Sequence, residues 1–422
     1  MGWAGDAGCT PRPPIRPRLA SERRVIIVIF LGLLLDLLAF TLLLPLLPGL
    51  LERHGREQDP LYGSWQRGVD WFATAIGMPA EKRYNSVLFG GLIGSAFSLL
   101  QFFSAPLTGA ASDYLGRRPV MMMSLTGLAI SYAVWATSRS FTAFLASRVI
   151  GGISKGNVNL STAIVADLGS PPTRSQGMAV IGVAFSLAFT LGPMLGAFLS
   201  VEMVPWISLL FAVSDMLFIF CFLPETLPQE KRASSVTLGF HTAANLLSPL
   251  ALLRFAAVAH SQDPPTEDGL RNLRRLGLVY FLYLFLFSGL EYTLSFLTHQ
   301  RFQFSSLQQG KMFFFIGLTM ATIQGTYARR IRPGKEAAAV VRSTPGNVAA
   351  GTSLPLNRLG VPPNTLPPAA AVVVPGLSTM VSSYVYWLTG AQVCFTMCSA
   401  LFLLPFLLLQ KLQHPAQTLK EE

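Results

Sequence analysis

Charged residues are scarce in this 422-residue chain: they make up 13% of it, whereas soluble globular proteins carry about 25%. Hydrophobic residues make up 51%, and the mean hydropathy is +0.48. A soluble chain of this length would hold two or three domains, but apolar runs of about 20 residues recur along nearly all of it. The composition therefore excludes most soluble classes and predicts an integral membrane protein.

Cysteine and histidine are also rare, which limits the chemistry that the chain can carry. The four cysteines have no spacing typical of a disulfide framework or a metal site, and the five histidines are scattered. No P-loop and no H-E-x-x-H pattern occurs. Residues 152–156 match the letters G-x-S-x-G, but they lie midway along an apolar span and not between a strand and a helix. We expect no enzyme activity, no catalytic residues, no metal site and no cofactor.

The excess of basic residues indicates the orientation of the chain in the membrane. Thirty-two Lys and Arg against 21 Asp and Glu give a net charge of +11, which in a soluble protein would suggest nucleic-acid binding. Here the basic residues lie on one side of the membrane if the spans alternate in direction, and an excess of Lys and Arg is typical of cytoplasmic loops. That side holds the N-terminal tail, the central linker and the loops with Arg117, Arg118 and Arg174. The pattern predicts a cytoplasmic N-terminus and no nucleic-acid partner.

The spans divide the chain into two unequal halves. Residues 1–24 read as a disordered cytoplasmic tail. The following apolar run, 25–51, is too long for the apolar core of a cleavable signal peptide, about 7 to 15 residues. Six spans make an N-terminal half over 25–223, and a charged linker covers 224–275. The predicted spans of this half are 25–51, 86–108, 119–137, 141–166, 177–200 and 205–223.

The second half is shorter than the first. Its start, 276–335, has spans at 276–298 and 310–328. The Pro- and Gly-rich stretch 336–370 cannot form a continuous spanning helix. Of the final hydrophobic segments, 371–410, only 385–410 is long enough to span, so either 371–383 is re-entrant or this end is irregular. A tail, 411–422, follows.

Several polar residues lie inside the predicted spans, where charges are costly and usually mark a transport route. In the fourth span Arg148, Gly152, Lys155, Asn159 and Thr162 step by four and three residues, which places them on one face of a continuous helix. We interpret this cationic face as the lining of a pathway for an anionic solute. The alternative is a structural ion-pair cluster in which Arg148 and Lys155 neutralise Asp36 and Asp215. The full set of predicted pathway residues is Asp36, Gln101, Arg148, Lys155, Asn159, Asp215, Glu291 and Gln324.

Among the acids, Asp36 is the first candidate for exchanging a proton. A carboxylate that gains or loses a cationic partner during a conformational change also changes its affinity for protons. Glu291 is the next candidate, with the alternative that it lies near the outer mouth and is solvated.

A polar signature joins the second and third spans. The segment GAASDYLGRR, residues 109–118, carries Gly109, Asp113, Gly116, Arg117 and Arg118. It resembles the Gly-x-x-x-Asp-Arg/Lys-x-Gly-Arg-Arg signature of the major facilitator superfamily at the matching loop, although a tyrosine stands where a basic residue is usual. The resemblance implies that these residues help to close an inner gate.

Further segments resemble the same superfamily. Arg148 with Gly152 resembles its fourth-helix Arg-x-x-x-Gly motif, and Asp167 with Arg174 resembles the next cytoplasmic loop of the gate. In the fifth span Gly192, Pro193 and Gly196 resemble a Gly-Pro-x-x-Gly motif associated with antiporters. Its fuller form has glycines where this chain has alanines. Small residues still permit close helix packing there.

The resemblance implies an all-α integral membrane protein, a two-half helical bundle whose second half is incomplete. Residues 31–52, 61–79, 92–102 and 280–314 are similar to a vertebrate group of organic anion transporters in this superfamily. They imply alternating-access transport of a small organic anion across the plasma membrane or an internal membrane, with a coupling proton or counter-anion. Compared with that group, the chain resembles a variant that lacks most of helices nine to eleven. The alternative function is therefore that of a non-transporting truncated isoform or an interaction-only membrane protein. The sequence makes no prediction of oligomeric state.

Overall fold

The structure, a computed structural model, describes residues 16–56, 60–75, 85–137, 140–168, 171–229, 232, 267–326 and 401. This part of the chain contains helices and no strand, and five of its helices are long and apolar enough to cross a membrane. The all-helical prediction is confirmed. In chain order the helices are α1 Arg16–Thr41, α2 Leu47–Arg56, α3 Pro60–Ala75, α4 Asn85–Leu115, α5 Arg117–Thr137, α6 Phe141–Ser154, α7 Asn157–Ala166, α8 Pro171–Phe198, α9 Val204–Phe222, α10 Glu267–Phe302 and α11 Ser306–Thr326.

The first apolar run is not the single span that was predicted for 25–51. The helix starts earlier, at Arg16, inside the expected tail, and it ends at Thr41. Five residues of turn separate it from α2, because a proline at position 45 has no amide hydrogen to donate and disfavours helical backbone in the residue before it. The Thr41 hydroxyl donates to the carbonyl of Leu37 at 2.8 Å and lies 3.1 Å from that of Ala188.

The fourth span is also broken, which corrects the continuous helix predicted for 141–166. Helix α6 ends at Ser154, and α7 starts at Asn157. Lys155 between them leaves the helical region with φ −74° and ψ 68°. The freed amide of Gly156 donates to the hydroxyl of Ser124 at 3.1 Å, so a side chain of α5 replaces part of the lost helical bonding.

Helix α8 lies between the first and the last described helices and so joins the two halves. On one side Gly192 and Gly196 pack against Thr41 and the backbone of Leu42. On its other side α8 packs on α11, where a Cβ added to Gly310 would lie 2.9 Å from the carbonyl oxygen of Pro193. The small residues of both helices therefore permit close backbone approach.

Helix α10 starts at Glu267, inside the stretch predicted as linker, and runs without a break through the predicted span 276–298. The predicted irregular insert 336–370 and the tail 411–422 lie outside the described residues, as does nearly all of 371–410.

Replacing Gly196 with alanine should destabilise the protein by about 1 to 3 kcal/mol, the range for overpacking a tight contact. The new Cβ would meet the backbone of Leu42, which cannot rotate away. Gly182 lies in the same helix and has open space at its Cβ position, so Gly182→Ala should stabilise the helix slightly. Thermal unfolding of the purified chain in detergent measures both variants, and equal melting temperatures would contradict the packing account.

Candidate functional site

A buried ion pair joins the first and fourth spans. The Lys155 ammonium donates to both carboxylate oxygens of Asp36 at 2.8 Å, and the two residues are 4% and 3% exposed. The ammonium also lies 5.2 Å from the centre of the Phe40 ring, one helical turn beyond Asp36. The break after α6 allows this contact, because Lys155 is held at a non-helical position facing α1.

Neutral polar groups surround the same break. The Gln101 amide donates to the carbonyl of Lys155 at 3.2 Å, so α4 binds one of the carbonyls that the break releases. The Ser124 hydroxyl lies 2.5 Å from the carbonyl of Ser154 and 2.6 Å from the amide oxygen of Asn157. The amide nitrogen of Asn159 is buried and has no hydrogen-bond partner among the described residues.

Arg148 is the second buried cation, and its surroundings are aromatic. Its guanidinium carbon lies 5.2 Å from the centre of the Trp135 ring and 5.4 Å from that of the Phe144 ring. Its Nε donates to the Ser147 hydroxyl at 3.4 Å. Within the described part of the chain no carboxylate forms an ion pair with it. Cation–π contacts stabilise a desolvated cation by about 2 kcal/mol, but they leave its hydrogen-bond donors available.

The remaining predicted pathway residues fall into two groups. Asp215 on α9 is 1% exposed, and its Oδ1 has no hydrogen-bond partner among the described residues. The two-pair cluster considered from the sequence is therefore half present in the described part of the chain: Lys155 pairs with Asp36, whereas Arg148 and Asp215 form no ion pair with a described residue. Glu291 and Gln324 lie on α10 and α11, but their side chains are outside the description. Because the helix is broken after Ser154, Arg148 and Asn159 belong to separate helices and do not share one continuous face.

A second charged cluster lies at the start of α5. The Arg117 guanidinium contacts Asp113 at 2.6 Å, Asp167 at 2.8 Å and the Ser112 hydroxyl at 2.5 Å. These contacts tie the end of α4 to the residue that follows α7. Because one planar guanidinium can bind two carboxylates at once, Arg117 closes this corner of the bundle in the described conformation.

Glu225, which the sequence reasoning missed, completes that cluster. Its carboxylate accepts hydrogen bonds from the backbone amides of Arg117 at 3.0 Å and Arg118 at 3.2 Å, and so caps the exposed amides at the start of α5. Gly116 has a φ of +110°, and a Cβ there would lie 2.7 Å from Glu225 Oε2. The only sequence signal was that Glu225 follows Pro224 directly after the sixth predicted span, which ends on the same side of the membrane as Arg117.

The other signature residues have simpler surroundings. The Arg118 guanidinium donates to the carbonyl of Phe220 at 2.6 Å and lies over its ring at 5.6 Å. Arg174 donates to the carbonyl of Leu168 at 2.5 Å. Gly109 has open space at its Cβ position, so no contact among the described residues requires a glycine there.

Comparison with known proteins decides the family. The model of the Major Facilitator Superfamily matches residues 29–344. The chain belongs to this superfamily. It is therefore a multi-pass membrane transporter by family, and the prediction that it is not an enzyme is confirmed.

Its relatives include vertebrate and bacterial proteins. The chain is 84% identical to the mouse Major facilitator superfamily domain-containing protein 10, with all of both chains covered. A solved structure described as the human organic anion transporter MFSD10 (TETRAN) is 69% identical, with a TM-score of 0.74 over 94% of this chain and 100% of that one. The class D tetracycline resistance protein of Salmonella ordonez is 29% identical, with 53% of this chain and 51% of that protein covered.

The resemblance to a vertebrate group of organic anion transporters, stated from the sequence, is confirmed. The alignment with the mouse protein extends over 456 positions, against the 422 residues of this chain. The mouse protein therefore has residues at alignment positions where this chain has none.

Proposed function

We propose that the chain moves small organic anions across a membrane by alternating access, and that Arg148 binds the anionic group. The supporting observation is a buried guanidinium with aromatic neighbours and, among the described residues, no carboxylate partner. Burying an uncompensated charge is strongly unfavourable unless a counter-charge completes it. A substrate anion supplies that charge. The 69% identical human protein is described as an organic anion transporter. A negatively charged substrate matches the positive charge of Arg148.

Lys155 and Asp36 have a supporting role in this proposal. Lys155 is fully engaged by Asp36 in the described conformation, so its charge is already neutralised and it attracts an anion less than Arg148 does. If Asp36 binds a proton, the ammonium is released and can turn to another anionic group. This arrangement would couple anion binding to a proton. The N-terminus is proposed to be cytoplasmic from the distribution of basic residues.

The buried pathway residues and the Arg117 cluster have different roles in the proposed transport cycle. Arg148, Lys155 and Asp36 are buried inside the bundle, and we propose that they lie near the bilayer midplane, where transporters of this type bind substrates. Arg117, Asp113, Asp167 and Glu225 fix the ends of helices away from that level. We propose that this second cluster holds one conformation closed and opens as the halves move. Helices α8 and α11 provide the contact along which they move.

Uptake of radiolabelled para-aminohippurate, a small organic anion, by proteoliposomes tests the role of Arg148. Arg148→Gln should reduce uptake at low concentration by about 30-fold or more, because losing a buried partner of a charge costs 2 to 5 kcal/mol. Arg148→Lys should retain part of it, as it keeps the charge without the planar fork. The matched control is Arg67→Gln, on the exposed side of α3. Uptake by Arg148→Gln at the wild-type rate would contradict the proposal.

The same assay separates transport from the alternative of a non-transporting variant. The mouse relative serves as the reference, because its alignment with this chain has more positions than this chain has residues. If the reference accumulates para-aminohippurate and this chain does not, then the residues that this chain lacks are needed for transport. If both accumulate it, the shortened chain is an active transporter.

A further inference from the structure

Asp215 lies one helical turn from the ion pair of the pathway. A Cβ added to Gly32 of α1 would lie 2.9 Å from Asp215 Oδ1, so the carboxyl group packs directly against the α1 backbone. Gly32 and Asp36 are four residues apart and share a face of that helix. Asp215 of α9 therefore packs against the same face of α1 that carries Asp36, one turn away.

The carboxyl group of Asp215 is enclosed but is not paired. The residue is 1% exposed, and Oδ1 has no hydrogen-bond partner among the described residues. A carboxylate ion in such a place would carry a desolvation cost with no hydrogen bond or ion pair among the described residues to offset it, and buried acids avoid that cost by taking up a proton. A neutral carboxylic acid fits this position much better than an ion.

The charged and titratable groups on the packed helices leave one cation near both acids. On α1 the nearest charged group along the face of Gly32 is Asp36, and Lys155 of the fourth span binds that carboxylate at 2.8 Å. Helix α5 carries Tyr132 in addition to two arginines at its first residues. Those arginines contact other groups: Arg117 binds Asp113 and Asp167, and Arg118 contacts Phe220. Among the residues that the structure describes, two buried carboxyl groups therefore depend on one ammonium.

We propose that Asp215 is a proton-binding site and that it shares Lys155 with Asp36. In the described conformation Lys155 neutralises Asp36, and Asp215 is the protonated acid. When the ammonium turns to Asp215, the Asp215 hydroxyl gives its proton to water, and Asp36 takes up a proton from water. The trio of Asp36, Lys155 and Asp215 holds one exchangeable proton in either arrangement, so its net charge stays constant.

Infrared spectroscopy of the purified full chain at neutral pH tests the proton site without any transport assay. A buried protonated carboxyl group absorbs above the amide bands, where ionised carboxylates do not. Wild type should show this band, and Asp215→Asn should lose it. The exposed Asp70 on α3, which accepts from Gln66 at 2.9 Å, gives the matched control, and Asp70→Asn should keep the band. A band that survives in Asp215→Asn overturns the proposal.

Two more variants distinguish sharing from simple burial. Asp36→Asn should also lose the band, although Asp215 is still present, because Lys155 is then free to neutralise it. Lys155→Met should about double the band intensity, because both acids then need a proton. A band of unchanged intensity in either variant overturns the sharing of Lys155. The two variants change the band in opposite directions, so a general loss of structure cannot imitate both results.

The role of this proton in transport rests on the proposed function and has its own readout. Accumulation of para-aminohippurate driven by a pH gradient should be lost in Asp215→Asn and kept in Asp70→Asn. Gradient-driven accumulation at the wild-type level in Asp215→Asn would overturn the coupling role. If wild type accumulates no para-aminohippurate, the proposed function fails, and the infrared bands still decide whether Asp215 binds a proton.

Discussion

Replacing Lys155 with methionine is expected to lower the free energy of unfolding by about 3 to 5 kcal/mol, the cost of breaking a buried ion pair from one side. The substitution keeps an unbranched side chain, one atom shorter, but removes the charge that neutralises Asp36 at 2.8 Å. Asp36 is 3% exposed, so water cannot replace the ammonium. It must stay ionised without a partner or take up a proton at a pH where free aspartate is ionised, and both are unfavourable.

Chemical unfolding of the purified chain in detergent measures this loss, and a double variant isolates the pair. Lys155→Met with Asp36→Asn removes both charges and should recover most of the stability, so that the two substitutions are strongly non-additive. Lys311, exposed on α11, gives the matched control, and Lys311→Met should change stability by less than about 0.5 kcal/mol. Additive losses would show that the ion pair does not contribute as the structure indicates.

Replacing Arg117 with glutamine is expected to cost about 2 kcal/mol of stability and to slow transport several-fold. The loss is smaller than that of a fully enclosed pair, because the Asp113 side chain is 55% exposed and solvent screens its contact. Asp167 and the Ser112 hydroxyl lose the same guanidinium. Arg117→Lys should recover only part of the effect, since an ammonium cannot replace the planar fork that binds two carboxylates.

The kinetic signature of Arg117→Gln distinguishes a gate from a binding residue. Its maximal uptake rate for para-aminohippurate should fall while KM stays close to wild type, because Arg117 lies apart from Arg148 and the Lys155–Asp36 pair. Arg67→Gln again serves as the control for a lost surface charge. A raised KM with an unchanged maximal rate would place Arg117 in substrate binding and contradict a gating role.

Much of the fold was predictable, because long apolar spans and loop charges follow directly from the energetics of the bilayer. The breaks were not. Pro45 could have signalled the end of α1, but the apolar residues around it conceal the turn in a hydropathy reading. The break after Ser154 has no proline at all. It depends on the Ser124 hydroxyl and the Gln101 amide, which bind the released backbone groups from other helices.

The candidate site was predictable in its residue types but not in its pairing. Intramembrane charge alone identified Asp36, Arg148, Lys155 and Asp215. Their partners depend on how helices far apart in sequence meet. The spacing of residues along one helix could not show that Lys155 contacts Asp36 of α1 while Arg148 contacts Trp135. Glu225 was missed for the same reason, because its role depends on contact with a helix that begins 108 residues earlier.

Calorimetric titration of the purified chain with para-aminohippurate tests the central claim, that Arg148 is the anion-binding cation. Wild type is predicted to bind the anion saturably, and Arg148→Gln is predicted to raise Kd at least tenfold, which corresponds to about 1.4 kcal/mol. Arg67→Gln should bind as wild type does. Equal Kd values for wild type and Arg148→Gln would contradict the account.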